Sequence, residues 1–145
     1  MIRYSNLYLE NKLILNKILN QVKKNIKKSQ FILKDDVSIF EKNICKYLKI
    51  KHCVGLNSGT DALLMSLSQL KLKKGSEIII SPLTYVATIS AILHVGARPV
   101  FVDVGEDFNL DVDQIEKKIT KKTKCILPVH LFGRCCDLNK INQLA

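Results

Sequence analysis

No stretch of this chain stays apolar for the roughly 18 residues a membrane-crossing helix needs. The longest apolar stretches, Ile78-Ile79-Ile80 and Val86 to Val95, are too short or interrupted by polar residues. The opening residues mix Arg3, Asn6 and Glu10 with apolar side chains and lack the basic-then-apolar layout of a secretory signal. A cytoplasmic protein with no membrane partner is therefore expected. No CxxC pair occurs, and the spacing of Cys45, Cys53, Cys125, Cys135 and Cys136 fits no zinc template. Reduced thiols, some of them in the core, are the expectation. The adjacent Cys135 and Cys136 leave a soft-metal site or a vicinal disulfide as the alternative. Arginine is scarce: only Arg3, Arg98 and Arg134 stand among 23 basic residues. The formal charge of +10 is therefore nearly all lysine, much of it in Lys12 to Lys34 and Lys117 to Lys124. Arginine is the usual reader of bases and phosphates, so no nucleic-acid partner is expected. Neither GxxxxGK[ST] nor GxGxxG is found, which excludes a Walker loop and a dinucleotide fingerprint. There is no internal repeat and no low-complexity linker.

What is there suits an ordered domain. Of the 145 residues 47% are hydrophobic, too many for intrinsic disorder. Apolar residues at Leu7, Leu13, Ile14, Ile18, Val22 and Ile26 predict one amphipathic helix up to Lys28, after a loose start. Asp35-Asp36 suits the start of a second helix, with Val37, Phe40, Ile44 and Leu48 on one face. From Lys51 the pattern changes to strands alternating with helices. Strands are predicted at Cys53–Leu56, Glu77–Ile80, Pro99–Val104 and Cys125–Val129. Helices are predicted after Gly59, over Tyr85–Val95 with Gly96 as its C-cap, from Asp111 to about Lys118, and from Asp137. This predicts an α/β fold with a parallel sheet covered on both faces and right-handed crossovers. The predicted division is a helical arm over 1–50 and an α/β body over 51–145.

The informative stretch is Asn57-Ser58-Gly59-Thr60-Asp61-Ala62-Leu63. A strand, a turn of small residues and a helix start would aim backbone N–H groups and the positive helix end at one point, which suits a phosphate. Taken alone, such a turn more often simply caps a helix. Tyr85 reads by itself as a core residue at a helix start. His130, just past a strand end, lies at the rim where open α/β sheets bind ligands, or makes a structural hydrogen bond. Arg98 and Asp103 sit at opposite ends of one strand and read as scaffold. Asp107, Asp111 and Asp113 read as turn and cap residues rather than a metal site.

Three further segments follow in order: Ser81-Pro82-Leu83-Thr84-Tyr85-Val86-Ala87-Thr88, Gly96-Ala97-Arg98-Pro99-Val100-Phe101-Val102-Asp103-Val104, and Pro128-Val129-His130-Leu131-Phe132-Gly133. Together with Ser58 to Leu63, and with Phe40-Glu41 and Tyr47, the sequence from about Phe31 to Ala145 resembles the sugar-nucleotide aminotransferases with the aspartate-aminotransferase fold. The resemblance implies an incomplete three-layer, parallel-sheet large domain of a fold-type-I enzyme dependent on pyridoxal 5'-phosphate, with an amino-terminal helical arm. It implies that Gly59, Thr60 and Asp61 bind the cofactor phosphate, that Tyr85 stacks on its ring and that His130 approaches the ring. It also implies the substrates, a nucleotide-linked keto sugar and an amino-acid donor such as glutamate, and a homodimer when intact. The family's cofactor-bonding lysine, and the aspartate that pairs with the pyridine nitrogen, belong to segments after this region. No catalytic residue is therefore assigned within the chain, and the stretch alone is expected to be inactive. Lys34 stands where the family commonly has glycine. Alternatives left open are a non-catalytic remnant or split half, a sugar dehydratase of the same family and, least expected, a lysine-rich nucleic-acid binder.

Overall fold

A computed structural model describes residues 4–145. The chain divides into two compact units, one ending at Gly55 and the other spanning Leu56–Ala145.

The first unit is helical. The single helix predicted up to Lys28 is two, α1 (Leu7–Asn11) and α2 (Leu15–Lys27), with a turn between them. Asn6 caps α1, its side chain accepting the Leu9 N–H at 3.2 Å. The next helix, α3 (Asp35–Leu48), starts at the acidic pair as predicted. Asp36 accepts hydrogen bonds from Gln21 at 3.1 Å and from Asn25, and so joins the start of α3 to α2. Those bonds, Asn25 first, hold the Asp36 carboxyl below its usual range. Lys34 does not disturb this start. It is extended, at φ −105° and ψ −170°, a conformation open to any residue, and the left-handed position falls on Leu33 at φ 47°. The helix closes on Lys49, also left-handed, while the Ile50 N–H donates to the Cys45 carbonyl at 3.0 Å.

The strand predicted at Cys53–Leu56 does not form. A strand exists only through a paired neighbour, and no ladder among the described residues includes this segment. The Gly55 N–H donates instead to the Glu41 carboxylate at 2.8 Å.

The second unit has a parallel sheet in the order β2-β1-β3: β1 (Glu77–Ile80) between β2 (Arg98–Phe101) and β3 (Thr123–Ile126). Every residue of β1 is buried, which explains why it is an unbroken apolar run after Glu77. Its side chains divide by the twofold period of a strand. Ile78 and Ile80 pack with Leu67, Ala91, Ile92 and Ala97, so α4 (Gly59–Ser68) and α5 (Val86–His94) cover one face. Ile79 packs with Val102, Leu110, Ile115, Cys136 and Ile141, so α6 (Val112–Ile115) and α7 (Leu138–Leu144) cover the other. This is a three-layer arrangement. The α5 terminus is held as predicted: Gly96, at φ 74°, donates to Leu93 at 3.0 Å, and the Ala97 N–H reaches back to Ile92 at 3.2 Å.

Two strands differ from expectation. β2 stops at Phe101, and Val104 forms only an isolated bridge to Leu110. β3 runs two residues earlier than predicted at its start and ends before Pro128, which has no N–H to offer a ladder. Its last bond to β1 comes from the Leu127 N–H to the Ile79 carbonyl at 2.8 Å.

Candidate functional site

Ser58 begins α4 from an extended conformation, φ −152° and ψ 158°. Its hydroxyl oxygen accepts the Asp61 N–H at 3.1 Å, and its O–H donates to the Asp61 carboxylate at 2.8 Å. Serine and an acid three residues on thus close the first turn reciprocally. The Ala62 N–H goes to the Ser58 carbonyl at 3.1 Å. The first N–H groups of a helix have no acceptor within it. With Asp61 and Ala62 engaged, those of Gly59 and Thr60 remain as donors without a partner among the described residues. A Cβ built on Gly59 would meet nothing within 4 Å. The turn therefore presents two N–H groups and the exposed Thr60 hydroxyl at the positive end of a helix, and this donor set fits a phosphate. Asp61 enters differently, since both its amide and its carboxylate are held by Ser58.

Tyr85 is not a core residue. It is 75% exposed and occupies the N-cap position of α5, at φ −68° and ψ 138°. Its carbonyl accepts the Thr88 N–H at 3.0 Å, and Thr84 Oγ1 donates to Thr88 Oγ1 at 3.1 Å. The backbone at the helix entry is fixed while the ring faces solvent.

His130 follows β3 as Tyr85 follows β1. The two strands are parallel neighbours, so both residues lie beyond the carboxyl edge of the sheet, where ligands bind in open α/β folds. His130 Nδ1 accepts the Cys136 N–H at 3.1 Å. That nitrogen therefore keeps its lone pair, and the neutral ring carries its proton on Nε2. The intervening turn, Leu131–Gly133, closes through the Gly133 N–H on the His130 carbonyl at 3.1 Å and places Phe132 at φ 54° and Gly133 at φ 80°.

Other predicted residues take scaffold places. Arg98 lies 3.7 Å from Glu77, while Asp103 accepts its own neighbour's N–H, that of Val104, at 2.8 Å. Asp111 caps α6 through the Asp113 N–H at 3.1 Å. The Asp107 carboxyl is held below its usual range, first by the Asn109 side-chain amide and then by the Asn109 N–H. Sequence reasoning did not single out Asn109, which is 2% exposed. The Asp107–Asn109 spacing, typical of a side chain capping its own turn, was the available signal.

Comparison with known proteins gives one consistent neighbourhood. The model of the DegT/DnrJ/EryC1/StrS aminotransferase family matches residues 12–145. A dTDP-3-amino-3,4,6-trideoxy-alpha-D-glucose transaminase of Micromonospora megalomicea subsp. nigra is 40% identical over 129 residues, covering 88% of this chain and 34% of the relative. The crystal structure of S. venezuelae DesV superposes with a TM-score of 0.93 at 32% identity, over 99% of this chain and 39% of that one. NtdA from Bacillus subtilis, solved with bound cofactor PMP, superposes with a TM-score of 0.85 at 35% identity, over 97% of this chain and 31% of that one. The chain thus spans well under half the length of these relatives.

Proposed function

Because the chain belongs to the DegT/DnrJ/EryC1/StrS aminotransferase family, we propose that it forms the amino-terminal, phosphate-holding part of a transaminase. That enzyme moves an amino group from an amino acid, glutamate by preference, to a nucleotide-linked keto sugar. The sugar so made serves cell-surface polysaccharide or related synthesis, and the intact enzyme is a cytoplasmic homodimer. The cofactor is pyridoxal 5'-phosphate, which supplies an electron sink for the carbon that loses its proton. The observation that carries this reading is the pair of unpartnered N–H groups at Gly59 and Thr60, with open space above Gly59.

Each residue has a distinct part. Gly59 and Thr60 hold the phosphate through N–H groups, and Thr60 adds its hydroxyl. Asp61, through Ser58, fixes the first turn of α4 so that those donors converge. Tyr85 offers a flat aromatic face to the ring. His130 presents an Nε2–H donor beyond the end of β3. Every lysine among the described residues is exposed, whereas a lysine nucleophile is activated by desolvation or a nearby cation. We therefore assign the cofactor-bonding lysine to none of the lysines in residues 4–145. Transamination is favoured over dehydration by the 40% identity to a transaminase.

The test is a titration of the 15N-labelled chain with pyridoxal 5'-phosphate, inorganic phosphate and pyridoxal. The Gly59 and Thr60 amide signals are expected to move with the two phosphates and not with pyridoxal. Movement with all three alike, or with none, refutes the phosphate site.

A further inference from the structure

We propose that Asn109 is a positioning residue for His130: its buried carboxamide pins the 131–136 loop, and thereby fixes the His130 ring with its proton on Nε2. Asn109 lies far from His130 in sequence, on the turn that leads into α6, and is 2% exposed. Its Oδ1 accepts the Leu131 N–H at 3.3 Å, a donor it shares with the Val129 carbonyl at 3.0 Å. Its amide nitrogen donates to the Arg134 carbonyl at 3.2 Å, the Cys135 carbonyl at 3.4 Å and the Asp107 carboxylate at 3.0 Å. One side chain thus holds the loop near both ends, by an acceptor at Leu131 and donors at Arg134 and Cys135.

The amide is itself held in orientation. Asp107 accepts both the Asn109 side chain and its N–H, the latter at 3.1 Å, and the Gly105 N–H donates to the Asn109 carbonyl at 2.9 Å. A flipped carboxamide would set Nδ2 against the Leu131 N–H and Oδ1 against two carbonyls and a carboxylate, so only one orientation satisfies every partner. The next residue after the pinned carbonyls is Cys136, whose N–H donates to His130 Nδ1. Cys136 is further fixed by its thiol, which donates to the Val129 carbonyl at 3.2 Å. The order of control is Asp107, Asn109, the loop, the Cys136 N–H and then the imidazole. A second hydrogen bond to the nitrogen facing away from a ligand is how an imidazole's tautomer is set.

The geometry stands without the proposed function. Its use, an oriented N–H donor toward a cofactor ring, rests on that function. The experiment separates the two. The 15N-labelled full chain has three histidines, His52, His94 and His130, and His130→Gln identifies the third imidazole. In the unmodified chain at a pH where the ring is neutral, His130 Nδ1 is expected in the unprotonated region of the nitrogen spectrum and Nε2 in the protonated region. A ring protonated on Nδ1, or averaging between the two, overturns the proposal without any variant at Asn109. Asn109→Ala, and Asn109→Asp if the alanine variant does not fold, is expected to bring the two nitrogens toward averaging. Retention of the fixed tautomer in the folded variant overturns it. Arg134→Ala removes only the exposed side chain, 3.9 Å from Asp107, and keeps the carbonyl that Asn109 holds. It is expected to leave the tautomer intact, and averaging there would show that the amide is not the pin. Adding pyridoxal 5'-phosphate then reports on the proposed function alone: a shift of Nε2 supports it, and no shift removes the cofactor role while the tautomer result stands.

Discussion

Thr120 Oγ1 donates to Glu77 Oε2 at 2.6 Å, and so ties the segment entering β3 to the start of the central strand, 43 residues away. Glu77 is only 7% exposed, and Arg98, the first residue of β2, lies 3.7 Å from its other oxygen. All three strands therefore meet one carboxylate at the amino edge of the sheet, opposite the edge of the candidate site.

Removing that carboxylate should cost stability without touching the site. Glu77→Ala removes a hydrogen bond to a charged acceptor, and is expected to destabilise by about 1.5–3 kcal/mol in denaturant unfolding. Arg98→Ala should cost less than about 1 kcal/mol, because the guanidinium is 72% exposed. Equal losses from the two variants would show that the ion pair, rather than the half-buried hydrogen bond, organises this edge.

The core offers a sharper contrast. Ile79 is fully buried between the sheet and the α6–α7 layer, so Ile79→Ala should cost about 2–5 kcal/mol. Val86, at 66% exposed in the first turn of α5, should tolerate alanine with a change within about 0.5 kcal/mol. A small loss at Ile79 would mean that the layer over that face does not close on it.

The strand that carries Ile79 also shows what is legible in the sequence. The run Glu77–Ile80 declared a strand buried on both faces because local composition and burial coincide there. Gly96 and Asp111 declared helix ends for equally local reasons. Cys53–Leu56 has the same apolar look but forms no strand, since pairing depends on a neighbour that composition does not reveal. The first helix is predicted too long because its apolar spacing runs through the turn at Lys12–Ile14. At the site, Ser58 to Asp61 could be read as a helix start from adjacent residues. The Asp107–Asn109 turn is equally local, but the hold of Asn109 on the 131–136 loop could not be read, because those partners lie 22 to 26 residues away.

The cysteines should react in order of exposure. Burial raises the Cys125 and Cys136 thiols above their usual range, so less of each is thiolate at a given pH. Cys135, next in sequence to Cys136, is exposed. Iodoacetamide near neutral pH, followed by peptide mass mapping, should label Cys135 well before Cys136, and Cys136 should label readily only in denaturant. Equal labelling of the adjacent pair in the folded chain would contradict the burial of Cys136.

Thr60 and Tyr85 give opposite signatures for a binding site and a scaffold, and the measurement belongs in a chain extended to the full length of its relatives. Charge-assisted hydrogen bonds to a phosphate dianion are worth roughly 1.5–3 kcal/mol each. Thr60→Ala removes the hydroxyl and leaves the N–H donors of Gly59 and Thr60 in place. Affinity for pyridoxal 5'-phosphate should fall roughly ten- to a hundredfold, since about 1.4 kcal/mol is one decade. Helix capping should survive, because the cap is Ser58 and not Thr60. Tyr85→Ala removes an aromatic face and should weaken binding by a similar or smaller factor, while Tyr85→Phe keeps the face and should stay near the unmodified affinity. Since Tyr85 and Thr60 are both exposed in residues 4–145, neither change should lower the melting temperature of the cofactor-free 145-residue chain appreciably. If both alanine variants instead melt earlier and bind the cofactor with unchanged affinity, these residues are scaffold and the phosphate cradle must be sought elsewhere.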